Sequence, residues 1–264
     1  MNLTRTDQLF DLPFILVSGQ ARSGTTILTR AMAAHPSVLS NGLESTWLRD
    51  VLDLLNANLE NDSRMRQCLL TAEQFTVAFR GAAYEVLFPQ KIWPAEIPQA
   101  CSTFSSLKAE VFDRLRDLLP NVKLLNIVRN GVEVVSSRML HRSIGELSFE
   151  EHCVAWSRAV DVVQWGEGRD FFKLVRHEQL LGGTAAELFR EIQQWAGLSL
   201  ADDCSQFVEQ NLINTTVRPD EHTNQPRELT NRIERWRDWT AEQRSVFETI
   251  CGPAMSCLGY QMPW

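Results

Sequence analysis

Two short stretches carry the residues whose types and spacing could do chemistry. The first, "GQARSGTT" (19–26), follows the apolar run "FILVS" and leads into the helix-forming "TTILTRAMAAHP". Its glycines keep the G-x-x-x-x-G spacing of a loop whose backbone amides hold a phosphate-like group at a helix start. The Lys-Ser/Thr pair that usually closes such a loop is replaced by Thr25-Thr26, and the cation has moved inside the loop as Arg22. The second stretch, "NIVRNGVEVVSS" (126–137), places Arg129 at the end of an apolar run and Ser137 eight residues later on the helix that follows. Arg129 offers a bidentate fork and Ser137 a hydroxyl, close to a helix amino end that itself favours an anion. Ser136 takes the hydroxyl role if the helix phase differs by one residue.

A nucleotide kinase or GTPase needs an acid at the end of the neighbouring strand to help hold magnesium. Here that position is Arg129. The pattern therefore fits two separated anionic groups held without a metal ion.

These stretches need a scaffold that brings them together. The apolar runs "FILVS" (14–18), "KLLNIV" (123–128) and "FFKLV" (171–175) read as buried strands separated by helical patterns. Ser148 with Glu151, Thr184 with Glu187 and Thr240 with Gln243 each have capping-box spacing, and Gly197 suits a left-handed helix stop. Strands alternating with helices imply right-handed crossovers. The expected class is α/β, a P-loop-like three-layer fold with a central parallel sheet flanked by helices. Ligands of such sheets bind at the carboxyl ends of the strands, which directs attention to the residues after 18, 128 and 175. The stretch from about 50 to 110 is expected to be a helical insertion or lid, interrupted by the proline-broken "FPQKIWPAEIP" (88–98).

The 264 residues fit a single domain, 1–264, long enough to bury a large core. The net charge of -7 argues against nucleic acid or an anionic membrane surface as a partner, so any anion must be held by a local cluster. Six scattered cysteines show neither a CxxC pair nor zinc spacing, and the N-terminus is broken by Asp7 and Asp11 before any cleavage site. No stretch approaches the roughly 18 apolar residues of a membrane span. The expectation is a cytoplasmic chain with reduced thiols, no signal peptide, no transmembrane segment and no metal site.

"RSGTT" followed by a helix, together with "NIVRNGVEVVSS", resembles the 5'-phosphosulfate loop and the 3'-phosphate segment of sulfotransferases that use 3'-phosphoadenosine 5'-phosphosulfate (PAPS) as co-substrate. The resemblance implies that Arg22, Ser23, Gly24, Thr25 and Thr26 hold the phosphosulfate, and that Arg129 and Ser137 hold the 3'-phosphate. It also implies a hydroxylated acceptor: a small molecule, a carbohydrate, a lipid headgroup or a protein tyrosine. Homodimer formation is left open.

Sulfuryl transfer needs an in-line arrangement, a base for the acceptor and positive charge at the leaving phosphate. Arg22 serves the leaving group, and Lys91 in "QKIWP" loosely resembles the Lys-x-Pro segment of many family members, a reading placed slightly ahead of an exposed loop lysine. Glu44, after "SVLS" and an expected Asn41-Gly42 turn, resembles the glutamate base of tyrosylprotein sulfotransferases and many bacterial relatives. His141 is the second choice for the base, whereas His35, at the far end of the loop's helix, reads as structural. In "LVRHEQLL", His177 stands where relatives often carry a tyrosine that contacts the nucleotide. Arg235, chosen over Arg232 and Arg237 in "TNRIERWRDW", resembles a basic residue that borders the nucleotide, although a solvated face explains it equally well. Two rival readings stay open: a P-loop kinase of a small metabolite, and a nucleotide-binding protein without catalysis.

Overall fold

In the computed structural model, residues 13–44, 46–61, 67, 71–87, 99–103, 109–141, 144–181, 183–212, 225–226 and 235–264 are described. Strand β1 (Phe14–Gly19) leads into α1 (Thr25–Ala33) and β2 (Val38–Glu44), followed by α2 (Thr46–Leu59), α3 (Ala72–Leu87) and β3 (Gln99–Thr103). A short helix α4 (Leu115–Leu118) precedes β4 (Val122–Val128), α5 (Gly131–Arg138), α6 (Phe149–Ser157), α7 (Ala159–Gly166) and β5 (Phe172–Arg176). Helices α8 (Ala185–Ala196), α9 (Asp203–Gln210) and α10 (Ala241–Cys257) complete the chain, with a two-residue antiparallel pair, β6 (Asn211–Leu212) and β7 (Gln225–Pro226).

The five strands form one parallel sheet in the order β2-β3-β1-β4-β5. Alternate residues of a strand face opposite sides, and here both sides are covered. Phe14, Leu16, Val122 and Leu124 pack with Leu48, Leu52, Phe112 and Leu115 on one face. Ile15, Val17, Leu125 and Ile127 pack with Leu28, Met32, Leu188 and Ile192 on the other. That explains why the strands read as unbroken apolar runs, and it gives the three-layer α/β architecture expected from the sequence.

The chain leaves β1 toward one side of the sheet and returns through β4 on the other. The carboxyl ends of these neighbouring strands therefore flank the crevice where open α/β sheets bind ligands. A third apolar cluster joins α5, α6 and α10 through Val134, Val135, Trp156, Phe247 and Met255, fixing the helix that follows β4.

Several local expectations hold. Ser148 and Thr240 cap α6 and α10 with complete capping boxes, and Gly197 ends α8 in the left-handed region. Others do not. The Thr184 hydroxyl makes no cap for α8; it donates to the Gln179 carbonyl at 3.0 Å. The stretch from 50 to 110, expected to be mostly helical, carries helices and also supplies β3, which pairs with both β1 and β2. Asn41-Gly42 does not turn the chain back: the two residues lie within β2, where the pairing register shifts between Ser40 and Glu44.

Among the described residues, no helix is long and apolar enough to cross a membrane, and no group of three or more His, Cys, Asp or Glu side chains could hold a metal ion.

Candidate anion-binding site

The loop after β1 is built by backbone conformation. Arg22 and Gly24 both take positive φ, 79° and 103°, and the Ser23 amide closes a tight turn on the Gln20 carbonyl at 2.9 Å. An arginine in the left-handed region costs about 1–2 kcal/mol, a strain typical of ligand-binding loops. Glycine is required at position 24, where a Cβ would also come within 2.5 Å of the His177 ring. Helix α1 starts at once, so the loop lies at its amino end, and Thr25 and Thr26 are partly exposed there. The buried side-chain oxygens of Ser18, Gln20 and Ser23 find no hydrogen-bond partner among the described residues.

The segment after β4 is braced by three contacts. Trp156 Nε1 donates to the Arg129 carbonyl at 3.2 Å, the Asn130 amide donates to Glu178 Oε1 at 3.0 Å, and the Val132 amide donates to Asn130 Oδ1 at 3.0 Å, capping α5. The Arg129 fork meets one oxygen of Glu133, from Nε at 3.0 Å and Nη2 at 2.5 Å, with Nη1 at 3.4 Å from the Arg22 carbonyl.

The fold brings the two segments into contact. Arg22 Nε donates to Ser137 Oγ at 3.0 Å, joining loop and helix across 115 positions of sequence. Ser137 is partly exposed on this side of α5, whereas Ser136 is buried, so the hydroxyl facing Arg22 belongs to Ser137.

Positive charge accumulates here despite the acidic chain. Burial, and then the Arg129 charge, lower the Arg22 pKa from its ordinary value. Burial also lowers that of Arg138, which is 5 % exposed and whose Nε has no hydrogen-bond partner among the described residues. His141 is held below the usual imidazole range by burial and then by the charges of Arg22 and Arg138, which places it within their electrostatic reach. A guanidinium whose charge is disfavoured by burial and by a neighbouring guanidinium fits a bound anion, which would relieve the repulsion.

The structure brings Arg22, Ser23, Gly24, Thr25, Thr26, Arg129, Ser137 and His177 to one end of the sheet. The 3-10 turn Arg235–Asp238 packs on α5, with Arg235 exposed. Glu44 ends β2 opposite Thr103; its backbone is described, its side chain is not. Lys91 lies outside the described residues. His35 is structural, its Nδ1 accepting from the Ser37 amide at 3.0 Å and its Nε2 lying 2.8 Å from the Ser199 carbonyl. Sequence reasoning passed over Glu178 and Glu133; a carboxylate four residues after Arg129, in i,i+4 position on a helix, was the available signal for the second.

An open parallel sheet with a glycine-bearing loop after its central strand and a second cationic segment after the next strand defines a P-loop-like α/β fold. The chain belongs to the Sulfotransferase family, whose model matches residues 13–202. The fold is that of a sulfotransferase domain from the Synechococcus PCC 7002 olefin synthase, 17% identical, covering 95% of this chain and 96% of that one with a TM-score of 0.55. Mouse sulfotransferase SULT7A1, in a crystal structure complexed with PAP, shares it at 14% identity over 92% of this chain and 84% of that one, with a TM-score of 0.53. A protein-tyrosine sulfotransferase of Drosophila melanogaster is 28% identical over 181 residues, 65% of this chain and 35% of that protein. The chain spans about a third to a half of the length of the curated relatives it matches.

Proposed function

We propose that this chain moves a sulfuryl group from PAPS to a hydroxyl or amine acceptor, releasing adenosine 3',5'-bisphosphate (PAP). The observation that carries the reading is the 3.0 Å contact from Arg22 to Ser137, which joins the loop after β1 to the helix that follows Arg129. Membership of the Sulfotransferase family supports it.

In this reading the amides and hydroxyls of residues 22–26 hold the 5'-phosphosulfate, while Arg129 and Ser137 hold the 3'-phosphate. The acceptor oxygen attacks sulfur, the bond from sulfur to the phosphate oxygen breaks, and Arg22, with Lys91, stabilises charge on the departing phosphate. His177 packs beside Gly24 and borders the nucleotide, as does Arg235. Glu44 takes the acceptor's proton. A second base has support of its own: His141, kept neutral near Arg22 and Arg138, is chemically able to accept that proton. A cytoplasmic location belongs to the same reading and is supported by four free cysteines among the described residues, three of them buried.

The test is calorimetric titration with PAP and, separately, with ATP plus magnesium, each repeated on Arg129→Ala. Submillimolar binding of PAP without metal, weakened by the substitution, is the expected result. Preference for magnesium-ATP would overturn the reading in favour of a kinase. Tight PAP binding with no transfer from labelled PAPS to any acceptor class would instead mark a binding protein.

A further inference from the structure

The Glu178 carboxylate touches two distant parts of the molecule. Its Oε1 accepts from the Asn130 amide at 3.0 Å, and its Oε2 accepts from the Tyr260 hydroxyl at 3.0 Å. Asn130 is the residue between Arg129 and helix α5, and its own side chain caps that helix. Glu178 therefore fixes the peptide unit from which the Arg129 side chain departs and the helix start from which Ser137 is measured.

The other end of the contact is equally constrained. Helix α10 stops with Gly259 at φ +70°, the Gly259 amide donating to the Ser256 carbonyl at 3.0 Å and the Tyr260 amide to the Met255 carbonyl at 2.8 Å. This is the paired closure of a Schellman stop, which turns the chain back on itself and demands a left-handed residue at position 259. The turn delivers Tyr260 to Glu178. The Arg176 guanidinium lies 5.2 Å from the centroid of the phenol ring and covers it. Burial, and then the Glu178 charge, push the Tyr260 pKa up, so the phenol keeps the proton it donates.

Glu178 also follows His177, the residue packed against Gly24 of the loop. The 3-10 turn His177–Leu180 thus meets the loop after β1 through one side chain, and the segment after β4 through the next.

We infer that Glu178 and Tyr260 are positioning residues for the 3'-phosphate half of the donor site: the carboxylate, held by the phenol, sets the geometry of Arg129 and Ser137. This rests on the sulfotransferase reading above. Neither side chain need touch the nucleotide. Their effect is larger on discrimination for a 3'-phosphate than on the phosphosulfate loop, which Ser137 reaches only through Arg22.

The experiment compares the affinity of full-length protein for PAP with that for adenosine 5'-monophosphate, which lacks the 3'-phosphate. Wild type, Tyr260→Phe, Glu178→Ala and Glu178→Gln are measured, with a thermal melt of each. Loss of one buried hydrogen bond corresponds to about a fivefold change. Tyr260→Phe is expected to weaken PAP binding by about fivefold and Glu178→Ala by more, while monophosphate affinity stays within twofold. Glu178→Gln, whose side-chain oxygen still accepts from the Asn130 amide, should recover part of the loss. Variants that bind both nucleotides more weakly in equal measure, or that keep the wild-type ratio, overturn this inference and leave the donor-site reading standing. Wild-type protein that fails to prefer PAP over the monophosphate overturns both. Should Glu178→Ala melt at the assay temperature, Tyr260→Phe, which removes a single oxygen, decides the matter.

Discussion

Arg22 and Ser137 meet at 3.0 Å although one lies in the loop after β1 and the other in the second turn of α5. The contact ties the two candidate phosphate sites into one unit, because the side chain placed for the leaving group is held by the hydroxyl placed for the 3'-phosphate. Ser137→Ala removes the acceptor from a charged donor, a loss of about 1.5–3 kcal/mol, so PAP affinity is expected to fall by about ten- to a hundredfold. Ser136→Ala, on the buried side of the same helix, should change PAP affinity little. Calorimetry on the two variants checks the helix phase directly.

Glu133 occupies part of the Arg129 fork, with two donors converging on one carboxylate oxygen. In the absence of ligand it balances the guanidinium; with a phosphate dianion bound, it repels it. Glu133→Gln keeps an oxygen to orient Arg129 and removes the charge. PAP affinity is expected to rise by about fivefold, and its salt dependence to steepen. Weaker binding in the variant would show that orientation outweighs repulsion.

Gly24 and His177 are sterically coupled. A methyl group at position 24 must enter both a left-handed backbone conformation and the space of the imidazole. Gly24→Ala is expected to lower the melting temperature and weaken PAP binding at least tenfold. In the double variant Gly24→Ala/His177→Ala only the steric part is relieved, so the two effects are non-additive by about 1 kcal/mol, read from a double-mutant cycle.

The base is decided by turnover. Glu44→Gln should reduce kcat by at least about a hundredfold with PAP affinity unchanged, and His141→Asn much less. The reverse order would move the proton to His141, whose depressed pKa already leaves it neutral at pH 7.

Cys204 makes stability depend on alkaline pH. Burial raises its thiol from 9.0 to about 11, with Gln193 Nε2 at 3.6 Å from the sulfur. A raised folded-state pKa contributes stability that is complete below about pH 9 and lost as pH rises through about 11, roughly 3 kcal/mol in all. Denaturant midpoints measured between pH 8 and 11 should fall for the wild type and fall less for Cys204→Ala.

The sequence carried the loop, the second cationic segment and the strands β1, β4 and β5, because buried parallel strands must be apolar on both faces and anion loops need glycine at fixed spacing. It did not reveal β3. "QACST" is short, polar and preceded by a proline, and only its pairing with β1 and β2 makes it a strand. Asn41-Gly42 looked like a turn because that dipeptide prefers positive φ; the structure absorbs it as an irregularity within β2. The Thr184 hydroxyl had a closer acceptor in Gln179 than the helix it was expected to cap. Glu178 could not be read at all, since its partners lie 48 and 82 positions away and nothing local distinguishes it from a surface acid.

Among the described residues, the sheet order leaves β2 and β5 as the outer strands. An outer strand offers unpaired amides and carbonyls to any neighbour, and long regular ones invite association between molecules. In β2 the register shift between Ser40 and Glu44 breaks that regularity, and in β5 five residues include Lys173 and Arg176. These departures from an ideal strand act as guards against edge-to-edge self-association. A substitution that straightened β2 at Asn41-Gly42 would exchange colloidal stability for a tidier sheet.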